Sequence, residues 1–155
     1  MALVRSLRSC VPKDEDNLRA EYTRLFVKGE CSPYETSYAQ RPYAEIHDRG
    51  DVAGFYRAFG LKPSKEHPDH LVSELEFMGL LCLKEANAVA HNMVEEADVC
   101  KEAQKKFLSE HLTPWMQPLE NKVKERSKLQ VYPVLLELIR RFVILDRETL
   151  NASGG

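Results

Sequence analysis

The sequence contains little cysteine and none of the common catalytic signatures. It has no phosphate-binding glycine loop, no dinucleotide-binding glycine pattern, no serine-hydrolase elbow and no HExxH zinc motif. The cysteines form no Cys-x-x-Cys pair, which excludes a zinc ribbon and a thioredoxin-like motif and argues against a disulfide framework. The four are Cys10, Cys31, Cys82 and Cys100. These absences weaken the case for an enzyme.

Long apolar runs are also missing. No segment approaches the ~20 residues needed to span a bilayer. Arg5 and Arg8 interrupt the apolar start of the chain, so it lacks the continuous apolar region of a secretory signal. We therefore expect a cytoplasmic protein.

Neither sign of charge dominates. The 22 Lys and Arg residues nearly balance the 24 Asp and Glu residues, for a formal net charge of -2. This balance argues against a broad nucleic-acid-binding surface and against an acidic disordered chain. The length of 155 residues fits one domain, 1–155, with a short N-terminal segment at 1–15 and a tail at 151–155.

Glycine and proline are both absent from residues 80–113, which predicts helices there. No useful stretch alternates with period two, so we expect an all-α fold, a single-domain helical bundle. The first helix should start near Asp16 or Asn17 and end at Gly29, and residues 30–49 should form an ordered loop. The other predicted helices run from Asp51 to Gly60, from about Pro68 to about His91, from Glu95 to His111, from Thr113, and from Leu129 to Arg147.

The start of the third predicted helix is the most unusual stretch. At 100° per residue, Leu71, Leu75, Met78 and Cys82 form a stripe that we expect to be buried. A second stripe lies roughly 90° away and combines acidic and aromatic side chains: His70, Glu74, Phe77 and Leu81. Asp69 lies in the first turn, where it either caps the helix or offers its carboxylate to a partner.

Two histidines three residues apart could bind a metal ion. His67 and His70, with Glu74 nearby, can reach one ion and would suit a small metal-dependent helical enzyme. A zinc site needs further ligands, and His91 and His111 show no recognisable spacing. We therefore predict no metal site and keep this enzyme as an alternative.

Two aromatic motifs precede that stretch. The first is Tyr22-x-x-Leu25-Phe26, which taken alone is an ordinary helix core stripe. The second is Ser-Pro33-Tyr34-Glu-x-x-Tyr38, which taken alone is a proline-containing turn with aromatic anchors.

Taken together and in this order, these motifs and Glu66-x-x-Asp69-His70-x-x-x-Glu-Leu-x-Phe-Met resemble the TorD/DmsD/NarJ-like maturation chaperones of molybdenum oxidoreductases. The resemblance covers residues 18–145. It implies an all-helical TorD-like chaperone with no catalytic centre and no cofactor. Such a chaperone binds the twin-arginine signal peptide of the apo catalytic subunit of a molybdopterin oxidoreductase in the cytoplasm. It delays export until cofactor insertion is complete.

The resemblance also implies a signal-peptide site. Carboxylates would bind the paired arginines, and aromatic side chains would bind the apolar segment beside them. The expected residues are Tyr22, Leu25, Phe26, Pro33, Tyr34, Tyr38, Glu66, Pro68, Asp69, His70, Glu74 and Phe77. His67 stands where the family usually has proline, which makes His67 itself a doubtful binding residue.

Family members usually carry more helical turns before the first motif. The sequence is therefore either missing its start or trimmed, and a trimmed domain would expose apolar surface. A homodimer or a segment-swapped dimer would cover that surface. A generic helical interaction module remains a further alternative, because it would share the groove and bind a different partner.

Overall fold

The computed structural model describes Arg5 and residues 9–39, 44–62 and 67–152, with backbone only at 44–46. These ranges contain six α-helices and no β-strand, which confirms the all-α prediction. The helices are α1 (Glu15–Tyr22), α2 (Ala44–Ala58), α3 (Leu71–Ala90), α4 (Val94–Phe107), α5 (Thr113–Arg126) and α6 (Val131–Ala152). Shorter helical turns are Thr23–Val27 and Leu108–Leu112, both π-helical, and Glu35–Tyr38, a 3-10 turn.

Local capping explains where α1 begins and where the π-helical turn that continues it ends. Asp14 is the N-cap, since its Oδ1 accepts from the backbone N–H of Asp16 at 3.1 Å and of Asn17 at 3.4 Å. The prediction that Asp16 or Asn17 caps this helix is therefore wrong by two or three residues. Gly29 adopts φ 83° directly after the π-helical turn, as expected for a glycine stop.

Two further helix starts differ from the prediction. Helix α2 begins at Ala44 rather than Asp51, so residues 44–49 are helical and not loop. Pro42 lies before this start, and a proline does not oppose a helix that begins after it. Helix α3 begins at Leu71 rather than near Pro68, because the His70 Nδ1 accepts from the Val72 N–H at 3.1 Å and caps the helix. Asn92, at φ 58°, separates α3 from α4.

The core forms where α3 packs on α4 and α5 packs on α6. Its centre is aromatic: the Phe77 ring lies 4.8 Å from Tyr56 and 4.9 Å from Phe107, measured between centroids. The buried face of α3 differs from the predicted stripe, since Leu75 is partly exposed and Cys82 is exposed. Its buried residues are Leu71, Glu74, Phe77, Met78, Leu81 and Ala88.

Several large apolar side chains remain exposed around the α3–α4 connection. Leu83 is 71% exposed and Val94 is 69% exposed. Leu83 lines an open cavity of 620 Å³ together with Met93 and Val99. Dimerisation as a cover for apolar surface stays a prediction. None of the helices in the described ranges is both long and apolar enough to cross a bilayer.

Candidate functional site

A short backbone pairing joins the second and third sequence motifs. Tyr34 and His70 form an isolated antiparallel bridge. The Glu35 N–H donates to the Asp69 carbonyl at 3.0 Å, and the Leu71 N–H donates to the Pro33 carbonyl at 2.9 Å. The predicted loop and the start of α3 therefore meet directly.

The bridge sets a small ring cluster at the surface. The Tyr34 ring centroid lies 4.6 Å from His67 and 5.1 Å from His70. Burial, followed by the neighbouring His67, lowers the pKa of His70, so its imidazole is neutral at pH 7. Because Nδ1 accepts from Val72, the proton of the neutral ring is on Nε2, where it can donate to a peptide carbonyl.

The first motif lies beside this ring cluster and includes a π-helical turn. The Lys28 N–H donates to the Thr23 carbonyl at 2.8 Å, five residues back, which closes the turn. The turn carries the Phe26 ring to 5.3 Å from Tyr22 and to 5.7 Å from Tyr132 of α6. Tyr22 remains 46% exposed, so this aromatic row faces solvent on one side.

These segments enclose two adjoining cavities, of 190 Å³ and 250 Å³. Both are lined by Tyr22, Phe26, Pro33 and His70, so they form one continuous depression. We call it the aromatic groove. Its 190 Å³ part is walled by α3 and α6 through Leu71, Val72, Leu75, Tyr132, Leu135, Leu136 and Ile139, and its 250 Å³ part by Val27, Gly29, Ser32 and Tyr34. Nearly all of these side chains are apolar or aromatic, which suits an extended apolar segment.

Asp69 and Glu74, the two expected carboxylates that lie within the described residues, do not line this groove. Asp69 is fully buried: its Oδ2 accepts from the Thr36 hydroxyl at 2.6 Å, and its Oδ1 accepts from the Arg49 Nε at 3.2 Å. The expectation that Asp69 offers its carboxylate from the first turn of the helix is therefore wrong in this structure. Its two internal donors fix the 3-10 turn and α2 against the start of α3.

Glu74 and Phe77 are also inside the protein. Glu74 is 0% exposed, and its Oε2 accepts from the Trp115 indole N–H at 3.3 Å. Burial, reinforced by the nearby Glu35, raises the pKa of Glu74 well above its usual range and so favours its neutral form. A fully buried carboxyl of this kind is not available to an arginine of a partner. The expectation of an accessible acidic and aromatic face on α3 is wrong, because that face packs against α4 and α5.

The remaining predicted residues divide between packing and a second depression. Leu25 is fully buried, and the Pro68 carbonyl accepts from the Tyr56 hydroxyl at 2.7 Å. Tyr38 stacks on Trp115 at 5.7 Å and lines a separate cavity of 460 Å³. Glu66 lies outside the described residues. The structure thus brings together Tyr22, Phe26, Pro33, Tyr34 and His70.

Sequence reasoning missed the contribution of α6 to the groove. Tyr132 and Ile139 lie more than 60 residues from His70 along the chain and appear in none of the three motifs. The signal in the sequence was an apolar stripe of the last predicted helix, which includes Leu135 and Ile139. Leu75 was assigned to the core, yet it is partly exposed and lines the groove.

The alternative metal site of His67, His70 and Glu74 does not assemble. Within the described residues, the group of three potential ligands whose atoms lie within 4.8 Å of one another is Asp51, Glu110 and His111. The alternative based on His67, His70 and Glu74 is wrong for this structure, because Glu74 is buried beside Trp115 and His70 caps α3.

Comparison with known proteins identifies the family. A family model described as nitrate reductase delta subunit matches residues 1–121. A chlorate reductase assembly chaperone from Ideonella dechloratans is 31% identical over 132 residues, which cover 80% of this chain and 67% of that protein. A selenate reductase assembly chaperone from Thauera selenatis is 30% identical over the same shares. The chaperone protein TorD of Vibrio cholerae is 24% identical over 86% of this chain and 62% of its own length. The resemblance to TorD-like chaperones is confirmed, and the chain belongs to the nitrate reductase delta subunit family.

Proposed function

We propose that this protein is a non-catalytic assembly chaperone for the catalytic subunit of a molybdenum-containing reductase. Its membership of the delta subunit family supports this, together with relatives named as chlorate and selenate reductase assembly chaperones. A third relative, from Dechloromonas aromatica, is named a perchlorate reductase assembly chaperone and is 35% identical over 60% of this chain and 42% of its own length.

We propose further that the aromatic groove binds the leader peptide of that subunit. One observation carries this proposal: three separate sequence motifs converge on a single apolar depression lined by Tyr22, Phe26, Pro33 and His70. A twin-arginine leader has an uncharged apolar stretch next to its arginines. Extended apolar peptides bind grooves of this kind through side-chain burial, with backbone hydrogen bonds to polar groups at the edge. The His70 Nε2 is such a donor.

The basic end of the leader needs a different partner. Asp69 and Glu74 already accept hydrogen bonds from donors inside the protein. In this proposal they therefore do not bind the arginines of the leader. Glu66 is the remaining predicted carboxylate. In this proposal the groove supplies apolar area, and Glu66 supplies the preference for arginine.

Occupation of the groove would hide the leader from the export machinery. The chaperone would act in the cytoplasm and release the leader once the molybdenum cofactor is inserted.

Calorimetric titration of a synthetic twin-arginine leader tests the proposal. Leu75→Asn introduces an amide into the groove and should weaken binding at least about tenfold, the size of losing one buried Leu side chain. Leu83→Asn is the matched control, because Leu83 lies on the same helix but is 71% exposed and lines a different cavity. Equal affinity in both variants would remove the groove from the mechanism. Equal affinity for a leader with lysines in place of the arginines would favour a generic interaction module.

A further inference from the structure

A second cluster of polar side chains lies away from the groove, around His111. This residue belongs to the π-helical turn between α4 and α5, and its side chain is 4% exposed. Both oxygens of the buried Glu35 lie 3.2 Å from its Nδ1. A carboxylate in that position accepts the Nδ1–H and holds the ring so that the Nε2 lone pair points the other way.

The other ring nitrogen has no hydrogen-bond partner among the residues that the structure describes. The His111 Nε2 is buried, and it faces the Asp51 Oδ2 at 3.4 Å without forming a hydrogen bond. Glu110 completes the set, since one ligand atom each from Asp51, Glu110 and His111 lies within 4.8 Å of the others. A buried lone pair that faces the Asp51 carboxylate at 3.4 Å is unfavourable unless a positive charge lies between them.

We propose that His111, Asp51 and Glu110 form a binding site for a divalent transition-metal ion of the zinc type. One imidazole nitrogen and two carboxylate oxygens are common zinc ligands, and water would complete the coordination shell. Glu35 is the outer carboxylate that orients the ligating histidine, an arrangement typical of zinc sites. The two carboxylates are each 48% exposed, so they can rotate by the small amount needed to close on an ion.

One nearby cation competes for the same carboxylates. Lys106 approaches Glu110 at 3.8 Å, one helical turn earlier, and is itself 59% exposed. Exposed pairs of this kind are weak, and a divalent ion displaces the ammonium readily. The bound ion would link α2, which carries Asp51, to the turn that carries Glu110 and His111.

Titration of the metal-free protein with zinc chloride, followed by calorimetry, tests this site. The wild type should bind one zinc ion in the micromolar range, and zinc should raise its melting temperature. Asp51→Asn and Glu110→Gln should each weaken binding at least about tenfold, because even outer-shell changes at zinc sites cost that much. Asp98→Asn, an exposed change on α4, is the control and should bind like the wild type.

Two results would overturn the site. Absence of zinc binding by the wild type would mean that a protonated His111 bridges Glu35 and Asp51 without metal. Zinc binding that persists unchanged in both carboxylate variants would mean that the ion binds elsewhere. Since the variants alter surface carboxylates, they should retain the fold, and circular dichroism checks this. None of these outcomes bears on leader binding by the aromatic groove.

Discussion

Replacement of Glu21 by glutamine should cost this fold a large share of its stability. Glu21 is the last acidic residue of α1 and is only 5% exposed. Its carboxylate accepts from the Arg24 guanidinium at 2.8 and 2.9 Å, and from the Lys128 N–H at 2.6 Å. The Ser127 hydroxyl donates to it at 3.2 Å. One carboxylate thus joins α1 to the turn between α5 and α6, directly beside Tyr22 of the aromatic groove.

The size of the effect follows from these donors. Hydrogen bonding by Arg24, then by Lys128 and Ser127, outweighs burial and lowers the pKa of Glu21 to about 2. Relative to the ordinary glutamate pKa of 4.5, that shift corresponds to about 3 kcal/mol of folding free energy. Glutamine keeps the shape but loses the charge and one acceptor, so we expect Glu21→Gln to lower the free energy of unfolding by about 2–3 kcal/mol at pH 7.

Denaturant unfolding at several pH values measures this directly. Because the folded pKa lies below the unfolded one, the contribution of Glu21 is present above pH 4.5 and is lost as the pH falls towards 2. The variant should lack that loss. Glu15→Gln on the same helix is the control, since Glu15 is 84% exposed. An unfolding free energy of Glu21→Gln within about 0.5 kcal/mol of wild type would refute the reasoning.

The remaining predictions concern the start of α3. Asp69→Ala should destabilise the fold by about 3 kcal/mol, because it removes the fully buried carboxylate that accepts from the Thr36 hydroxyl and the Arg49 Nε; a small change in the denaturation midpoint would contradict this. Phe77→Ala should cost about 4 kcal/mol through the cavity left in the aromatic core, as measured by thermal unfolding. Glu74 has a raised pKa, so its contribution is complete below pH 4.5 and is lost as the pH rises; Glu74→Gln should flatten the stability profile above that pH, and an unchanged profile would show that Glu74 is ionised in the fold.

The convergence of three motifs could be predicted from the sequence, but the burial of Asp69 and Glu74 could not. A helical wheel gives the angle between His70 and Phe77, yet it does not say which side of the helix meets the core. That side is fixed by contacts with Tyr56 and Phe107, which lie far away in the chain. The sequence also did not show that His70, and not Asp69, caps α3. Both residue types can cap a helix, and the backbone bridge between Tyr34 and His70 decides between them.

The groove could be recognised only from the three-dimensional structure. Tyr22 and Phe26 were expected from their motif, whereas the opposite wall comes from Tyr132 and Ile139 of α6. No sequence pattern within either segment predicts that the two walls meet, since their contact depends on how α6 packs across the bundle. The predicted helix at 51–60 was too short because prolines suggested a loop where residues 44–49 in fact begin α2.

Photo-crosslinking of the leader tests the central claim most directly. A twin-arginine leader carrying a photoreactive phenylalanine in its apolar stretch is irradiated with the protein, and the adducts are located by mass spectrometry. The account predicts adducts on both walls of the aromatic groove, at α3 near Leu75 and at α6 near Ile139. Adducts confined to the exposed apolar surface around Leu83 and Val94 would contradict it.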